Sequence, residues 1–188
     1  MSEVVLYHHV QGLTEGVRSF ADELRRAGHT VHTPDLFDGR TFDTIEEGMA
    51  FAGEAGFATL AERGVAAAQG VRPEVVYAGF SFGVMPAQQL AQTRPGARGA
   101  ALMSGCLPAS EFGDAWPAGV PVQVHGKEAD PFFAEDLEAA RALVDSADQA
   151  ELFLYPGEEH LFADSSLPAY DAVAAASLTE RVLAFLDG

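Results

Sequence analysis

The segment Glu74-Val75-Val76-Tyr77-Ala78-Gly79-Phe80-Ser81-Phe82-Gly83 joins an apolar run to a Gly-x-Ser-x-Gly pattern. Read as a strand turning sharply into a helix, it holds Ser81 at the corner in a strained backbone conformation. The serine side chain is then exposed at the strand's carboxyl end. Glycines at 79 and 83 remove the Cβ atoms that would clash where the turn folds onto itself. The helix start leaves backbone N–H groups without intrahelical partners, and these can hold a developing oxyanion. Five residues are a short pattern; the strand before and the helix after give it weight. This is the arrangement of a nucleophile elbow.

On both sides of the elbow, short apolar runs alternate with helical patterns. Strands are expected at Val4–His9, Thr30–Pro34, Val75–Gly79, Gly99–Met103, Pro121–His125 and Glu151–Tyr155. Between the first two, Val17, Phe20, Ala21, Leu24 and Ala27 share a helix face, with Thr14 suited to cap its start and Gly28 its end. Asp43-x-x-Glu46 reads as a capping box opening another helix. Phe133, Leu137, Ala140 and Val144 recur at helical spacing after Pro131, which suits a first turn. Pro86 falls close enough to the start of the helix after the elbow to be tolerated. A last helix is expected from about Ala169 to Leu186, with Val173, Leu178, Val182 and Phe185 inward. Near-continuous apolar strands alternating with helices predict an α/β fold: one domain over residues 1–188, with a mostly parallel sheet and helices on both faces. In such sheets chemistry gathers outside the carboxyl ends of the strands.

The 188 residues are 48% hydrophobic, enough for one ample core. With 28 acidic and 11 basic residues, the formal charge is −17. Such a surface repels nucleic acid and anionic membranes, so neither is an expected partner. A single cysteine, Cys106, cannot form an internal disulfide, which fits a reducing compartment. The N-terminal residues Met1-Ser2-Glu3-Val4-Val5-Leu6 lack a signal peptide's basic patch, and no apolar run reaches the roughly 18–20 residues that span a bilayer. The expected localisation is cytoplasmic.

Ser81 needs a base to take its proton and a third group to orient that base. In elbow-bearing folds the chain order is nucleophile, acid, histidine. Pro121-Val122-Gln123-Val124-His125 runs into Gly126-Lys127-Glu128-Ala129-Asp130-Pro131, and Leu152-Phe153-Leu154-Tyr155 runs into Pro156-Gly157-Glu158-Glu159-His160. Ser81, Asp130 and His160 therefore each fall just past a different strand's carboxyl end. Taken singly, Ser81 and Asp130 also read as helix caps and His160 as a loop histidine. Glu128 competes with Asp130 for the acid role. Order and placement together favour a triad.

With these segments in view, the chain resembles the dienelactone hydrolase family of α/β-hydrolases over nearly its whole length. The likeness rests on Pro34-Asp35-Leu36-Phe37, the elbow, His125-Gly126 through Asp130-Pro131, and Tyr155-Pro156-Gly157 to His160-Leu161-Phe162. It implies a minimal α/β-hydrolase fold without a large cap domain, and no cofactor. It also implies an oxyanion hole made of the backbone N–H groups of Phe82 and Val10. His9, Phe80, Phe162 and Asp164 are expected around the substrate pocket.

Three positions depart from the family pattern. Its best-known members carry a cysteine where this chain has Ser81, a glutamate after the first strand where it has His9, and an arginine where it has Asp164. A hydroxyl ionises far less easily than a thiol, so His160 is more necessary as a base. Asp164 would repel a substrate carboxylate, which favours a neutral ester or lactone. His8 and His9, as adjacent strand residues, point to opposite faces and do not suggest a shared metal. Cys106 is expected as a buried thiol near the pocket rim. The leading expectation is a cofactor-independent serine esterase acting on a small ester or lactone. The alternatives are a non-catalytic binding protein of the same fold, or a thioesterase or acyltransferase using the same residues.

Overall fold

The chain forms six strands and six α-helices, and the computed structural model describes all of residues 1–188. In order they are β1 (Glu3–Tyr7), α1 (Glu15–Arg26), β2 (Thr30–His32), α2 (Ile45–Ala55), α3 (Phe57–Ala67), β3 (Val76–Phe80), α4 (Val84–Thr93), β4 (Gly99–Met103), β5 (Val122–Lys127), α5 (Phe133–Ser146), β6 (Ala150–Tyr155) and α6 (Ala172–Asp187). The strands form one sheet in the order β2-β1-β3-β4-β5-β6, and every neighbouring pair is parallel. Chain direction across the sheet reverses between β1 and β3. That switch point opens a crevice at the carboxyl ends of these two strands.

Strand periodicity sorts the core into two layers. Val5, Tyr7, Tyr77, Leu102 and Val124 face one way and pack with Leu60, Leu90, Phe133 and Leu143 from α3, α4 and α5. Val4, Leu6, Ala78, Phe80 and Met103 face the other way and meet Val17, Phe20 and Leu24 of α1 with Leu178 and Val182 of α6. Leu24 is completely covered, so cutting it back to alanine should cost about 2–5 kcal/mol. No inserted domain interrupts the sheet; residues 104–121 between β4 and β5 contain only the short 3₁₀ turn Ala109–Glu111. No helix is long and apolar enough to cross a membrane.

Caps define the helices much as the residues demand. The Thr14 hydroxyl oxygen accepts the Val17 N–H at 3.3 Å, and Gly28 closes α1 with φ +100°, where a side chain would be strained. Two ends differ from expectation. Thr44, not Asp43, caps α2: its hydroxyl accepts the Glu47 N–H, while the Glu47 carboxylate accepts the Asp43 N–H, each at 3.2 Å. Thr44-x-x-Glu47 has the same spacing as the expected box, one residue later. The last helix starts at Ala172, because Asp171 accepts the Val173 and Ala174 N–H groups, both at 3.1 Å. Val173 then lies in the first turn and is 79% exposed rather than inward; Ala174, Ala175, Leu178, Val182 and Leu186 form the buried face.

Candidate active site

Ser81 stands at the corner between β3 and α4 with φ +48°, a left-handed conformation unusual for a side-chain-bearing residue. The neighbouring glycines make that corner possible. A Cβ on Gly79 would collide with the Gly83 carbonyl oxygen, and one on Gly83 would run into the carbonyls of Tyr7 and His8. The sharp turn aims the serine hydroxyl at His160, with Oγ 2.7 Å from Nε2.

His160 is held from the other side by Asp130, whose Oδ2 lies 2.6 Å from Nδ1. An ionised carboxylate only accepts, so Nδ1 carries the ring proton and Nε2 is left to accept the serine hydroxyl. Asp130 is fully buried, and its Oδ1 also accepts the Phe132 N–H at 2.9 Å. The acid therefore satisfies the backbone ahead of α5 and orients the histidine at once. Glu128 is exposed at the loop surface. The loop carrying His160 is tied down at several points. Ser104, itself at φ +55°, donates its hydroxyl to the His160 carbonyl at 2.7 Å. The Ala129 N–H reaches the Gly157 carbonyl at 3.0 Å. Lys127, buried at the end of β5, donates to Glu159 and to Asp171, the latter at 2.7 Å. Burial would lower the Lys127 pKa, but its two carboxylate partners outweigh that and raise it.

These residues open onto a cavity of about 260 Å³ at the switch point. Val10 and Phe82 both line it, and the Val10 N–H makes no hydrogen bond within the chain. The walls are mostly apolar, with Met49, Phe57, Met85 and Leu107 among them. Phe132 leans over the His160 ring at 4.8 Å between centroids and leaves 48% of itself exposed at the mouth. Cys106 also borders the cavity, yet burial and the nearby Asp136 push its thiol up to about 12, so it stays protonated.

The expected pocket residues are not in this cavity. His9, Phe80, Phe162 and Asp164 are all buried beneath it, within or against the layer that packs on α1 and α6. Phe80 is the last residue of β3 and shares the face of Ala78 and Val76, where its ring meets Phe20 at 5.1 Å. Phe162 packs on Tyr155. His9 lies past the end of β1, not within a strand, and its Nε2 is 2.7 Å from Asp164 Oδ2. His8 turns elsewhere: Nδ1 donates to the His9 carbonyl and Nε2 accepts the Leu36 N–H at 3.0 Å.

Two acidic residues not foreseen from the sequence, Glu135 and Asp136, form part of the wall. Asp136 Oδ2 accepts the Cys106 N–H at 3.1 Å, and burial holds its carboxyl above the usual range. Both lie in the first turn of α5, where the helix dipole favours negative charge. The available signal was position: a helix that begins just after Asp130 must present its first turn to the same crevice. Ser104 carried a similar signal, lying directly past the carboxyl end of β4.

The dienelactone hydrolase family model matches residues 1–188. No curated protein matches the chain. Among solved structures, a dienelactone hydrolase-like promiscuous phosphotriesterase from metagenomic libraries is similar at 22% identity and TM-score 0.76, with 100% of this chain and 86% of that one covered. Dienelactone hydrolase from Anabaena variabilis is similar at 20% identity and TM-score 0.70, covering 98% and 84%. An esterase from Pyrobaculum calidifontis follows at 16% identity and TM-score 0.69, covering 99% and 76%. These likenesses show the α/β-hydrolase fold.

Proposed function

The chain belongs to the dienelactone hydrolase family, and from that premise we propose that it is a serine hydrolase of small carboxylic esters or lactones. The observation that carries the reading is the unbroken hydrogen-bond chain from Ser81 through His160 to Asp130. Ser81 attacks the carbonyl carbon as His160 Nε2 takes its proton, and Asp130 stabilises the resulting imidazolium. The carbonyl electron pair moves to oxygen, where the N–H groups of Val10 and Phe82 receive it. Collapse of this intermediate breaks the acyl C–O bond, and the leaving oxygen takes the proton held by His160. It departs as the alcohol from an ester and remains tethered to the acyl group from a lactone. A water then enters by the same route, with His160 again the base, and releases the acid and Ser81.

Two properties of the cavity support a small, uncharged substrate. Its volume of about 260 Å³ lies below the roughly 300–1,000 Å³ typical of drug-sized ligands. Its lining includes Glu135 and Asp136 and no lysine or arginine. The basis for excluding a carboxylate is therefore this acidic wall, not Asp164.

Fluorophosphonate treatment followed by peptide mapping tests the nucleophile. An adduct on Ser81, turnover of aryl esters or lactones, and loss of both in Ser81→Ala are the expected results. A folded protein that resists labelling would instead favour a binding role.

A further inference from the structure

We propose that His9 and Asp164 are a positioning pair that locks the loop carrying the Val10 amide to the loop carrying His160. The catalytic consequence rests on the oxyanion role assigned to Val10 above; the mechanical one does not.

The pair is buried, lies outside the cavity and takes no part in the proton relay. His9 Nδ1 accepts the Gln11 N–H at 3.2 Å, which leaves the ring proton on Nε2 to be donated to Asp164 Oδ2. The same Oδ2 accepts the Thr14 hydroxyl. Asp164 Oδ1 accepts both the N–H and the hydroxyl of Ser166, at 2.8 and 2.6 Å. One carboxylate thus gathers donors from the loop after β1, the start of α1 and its own loop. The fit is close enough that Gly16 has no room for a side chain, since a Cβ there would overlap the Asp164 carboxylate.

The two ends of this tether matter for chemistry. His9 immediately precedes Val10, and Asp164 lies four residues beyond His160. On its other side, Val10 is hemmed in by α2, where a Cβ on Gly48 would collide with the Val10 carbonyl. Gln11 and Phe42 exchange hydrogen bonds of 3.0 Å, from the Phe42 N–H to the Gln11 carbonyl and from the Gln11 amide to the Phe42 carbonyl. With α2 and Phe42 bracing one flank, the His9–Asp164 bond is the brace on the other. A displaced donor loses much of its worth to the transition state, whereas ground-state binding in the apolar cavity barely senses it.

The decisive comparison is His9→Leu against His9→Gln. Leucine fills the space but donates nothing, whereas glutamine keeps an N–H donor at about the reach of Nε2. We expect His9→Leu to lower kcat by about 10- to 100-fold with KM within about twofold. His9→Gln should recover most of that loss. Backbone hydrogen exchange reads the tether without reference to turnover. In His9→Leu, segments 9–14 and 160–167 should both exchange faster, and in His9→Gln neither should. The proposal is overturned if His9→Leu retains wild-type kcat, if the loss appears in KM alone, or if only the segment around residue 9 loosens. It is also overturned if the glutamine variant is as damaged as the leucine one, which still decides the matter should His9→Leu not fold. A wild-type protein inert to fluorophosphonate would refute the hydrolase reading, while the exchange data would continue to judge the tether.

Discussion

Gly83 sits so close beneath Tyr7 that a Cβ on it would lie 2.6 Å from the Tyr7 carbonyl oxygen and 2.7 Å from that of His8. The elbow is thereby seated against the end of β1, next to the loop bearing Val10. Alanine is favoured over glycine by up to about 1 kcal/mol inside a helix, but at the N-cap of α4, where Gly83 stands, the preference runs the other way. Here alanine would press on backbone that cannot swing aside, and overpacking of this kind costs about 1–3 kcal/mol. Gly83→Ala should therefore lower the melting temperature and slow fluorophosphonate labelling. An unchanged melting curve would mean the two loops separate more easily than their packing implies.

Asp130→Asn should leave the fold intact and reduce turnover by about 10³- to 10⁴-fold, because an amide no longer enforces the working histidine tautomer. Glu128→Gln, at an exposed position, should change little. Steady-state kinetics of the two variants side by side would test the assignment of the acid. A crippled Glu128→Gln would reverse it.

The placement of Ser81, Asp130 and His160 was legible because Ser81 follows directly on β3 and the other two lie in the short loops after β5 and β6, and strand ends in a parallel sheet are fixed by the sheet itself. The pocket was far less so. Which way His9 and Asp164 turn depends on loop paths and on a bond between residues 155 positions apart, and no periodicity reports that. Phe80 was recoverable in principle, since it shares its strand face with Ala78 and Val76. The capping residues Thr44 and Asp171 were missed for a smaller reason: several polar residues in a row can each supply a cap, and the backbone picks one.

A free carboxylate on the substrate would meet Glu135 and Asp136, and no cation stands ready to offset them. Arg63 is paired with Asp38, Lys127 with Glu159 and Asp171, and Arg40 lies over the Phe51 ring. Repulsion from one charge at a few ångströms amounts to about 1–4 kcal/mol depending on solvation, or roughly five- to several-hundredfold in specificity. Catalytic efficiency on a matched pair, methyl ester against free acid, should favour the ester. Asp136→Asn should narrow the gap. Better turnover of the acid would sink the neutral-substrate reading.

Acid should destabilise the protein in two stages. Burial holds His8 neutral down to about 4 and His125 down to about 3, against an ordinary 6.5. Below about 6.5 the unfolded chain takes up protons that the native state refuses, so stability present at neutral pH is lost progressively as pH falls, down to about 4 for His8 and on to about 3 for His125. For His8 alone the loss is about 3 kcal/mol. Burial also raises the Asp164 pKa, but hydrogen bonds from His9, Ser166 and Thr14 prevail and bring it down to about 2. Its contribution of about 2 kcal/mol is lost between roughly pH 4 and 2. Urea midpoints at pH 7, 5.5 and 4.5 should decline in step; a flat series over that range would contradict the buried neutral histidines.

Lys127 joins the strand leading to Asp130, the loop leading to His160 and the cap of α6 through Glu159 and Asp171. Its partners are spread so late along the chain that this junction cannot close on a ribosome-bound fragment ending before residue 171. A nascent chain that has already stacked its central strands would still lack this brace on the loop bearing His160. Recovery of Ser81 labelling after dilution from denaturant should accordingly lag behind the return of secondary structure, and that lag would time the last step of folding.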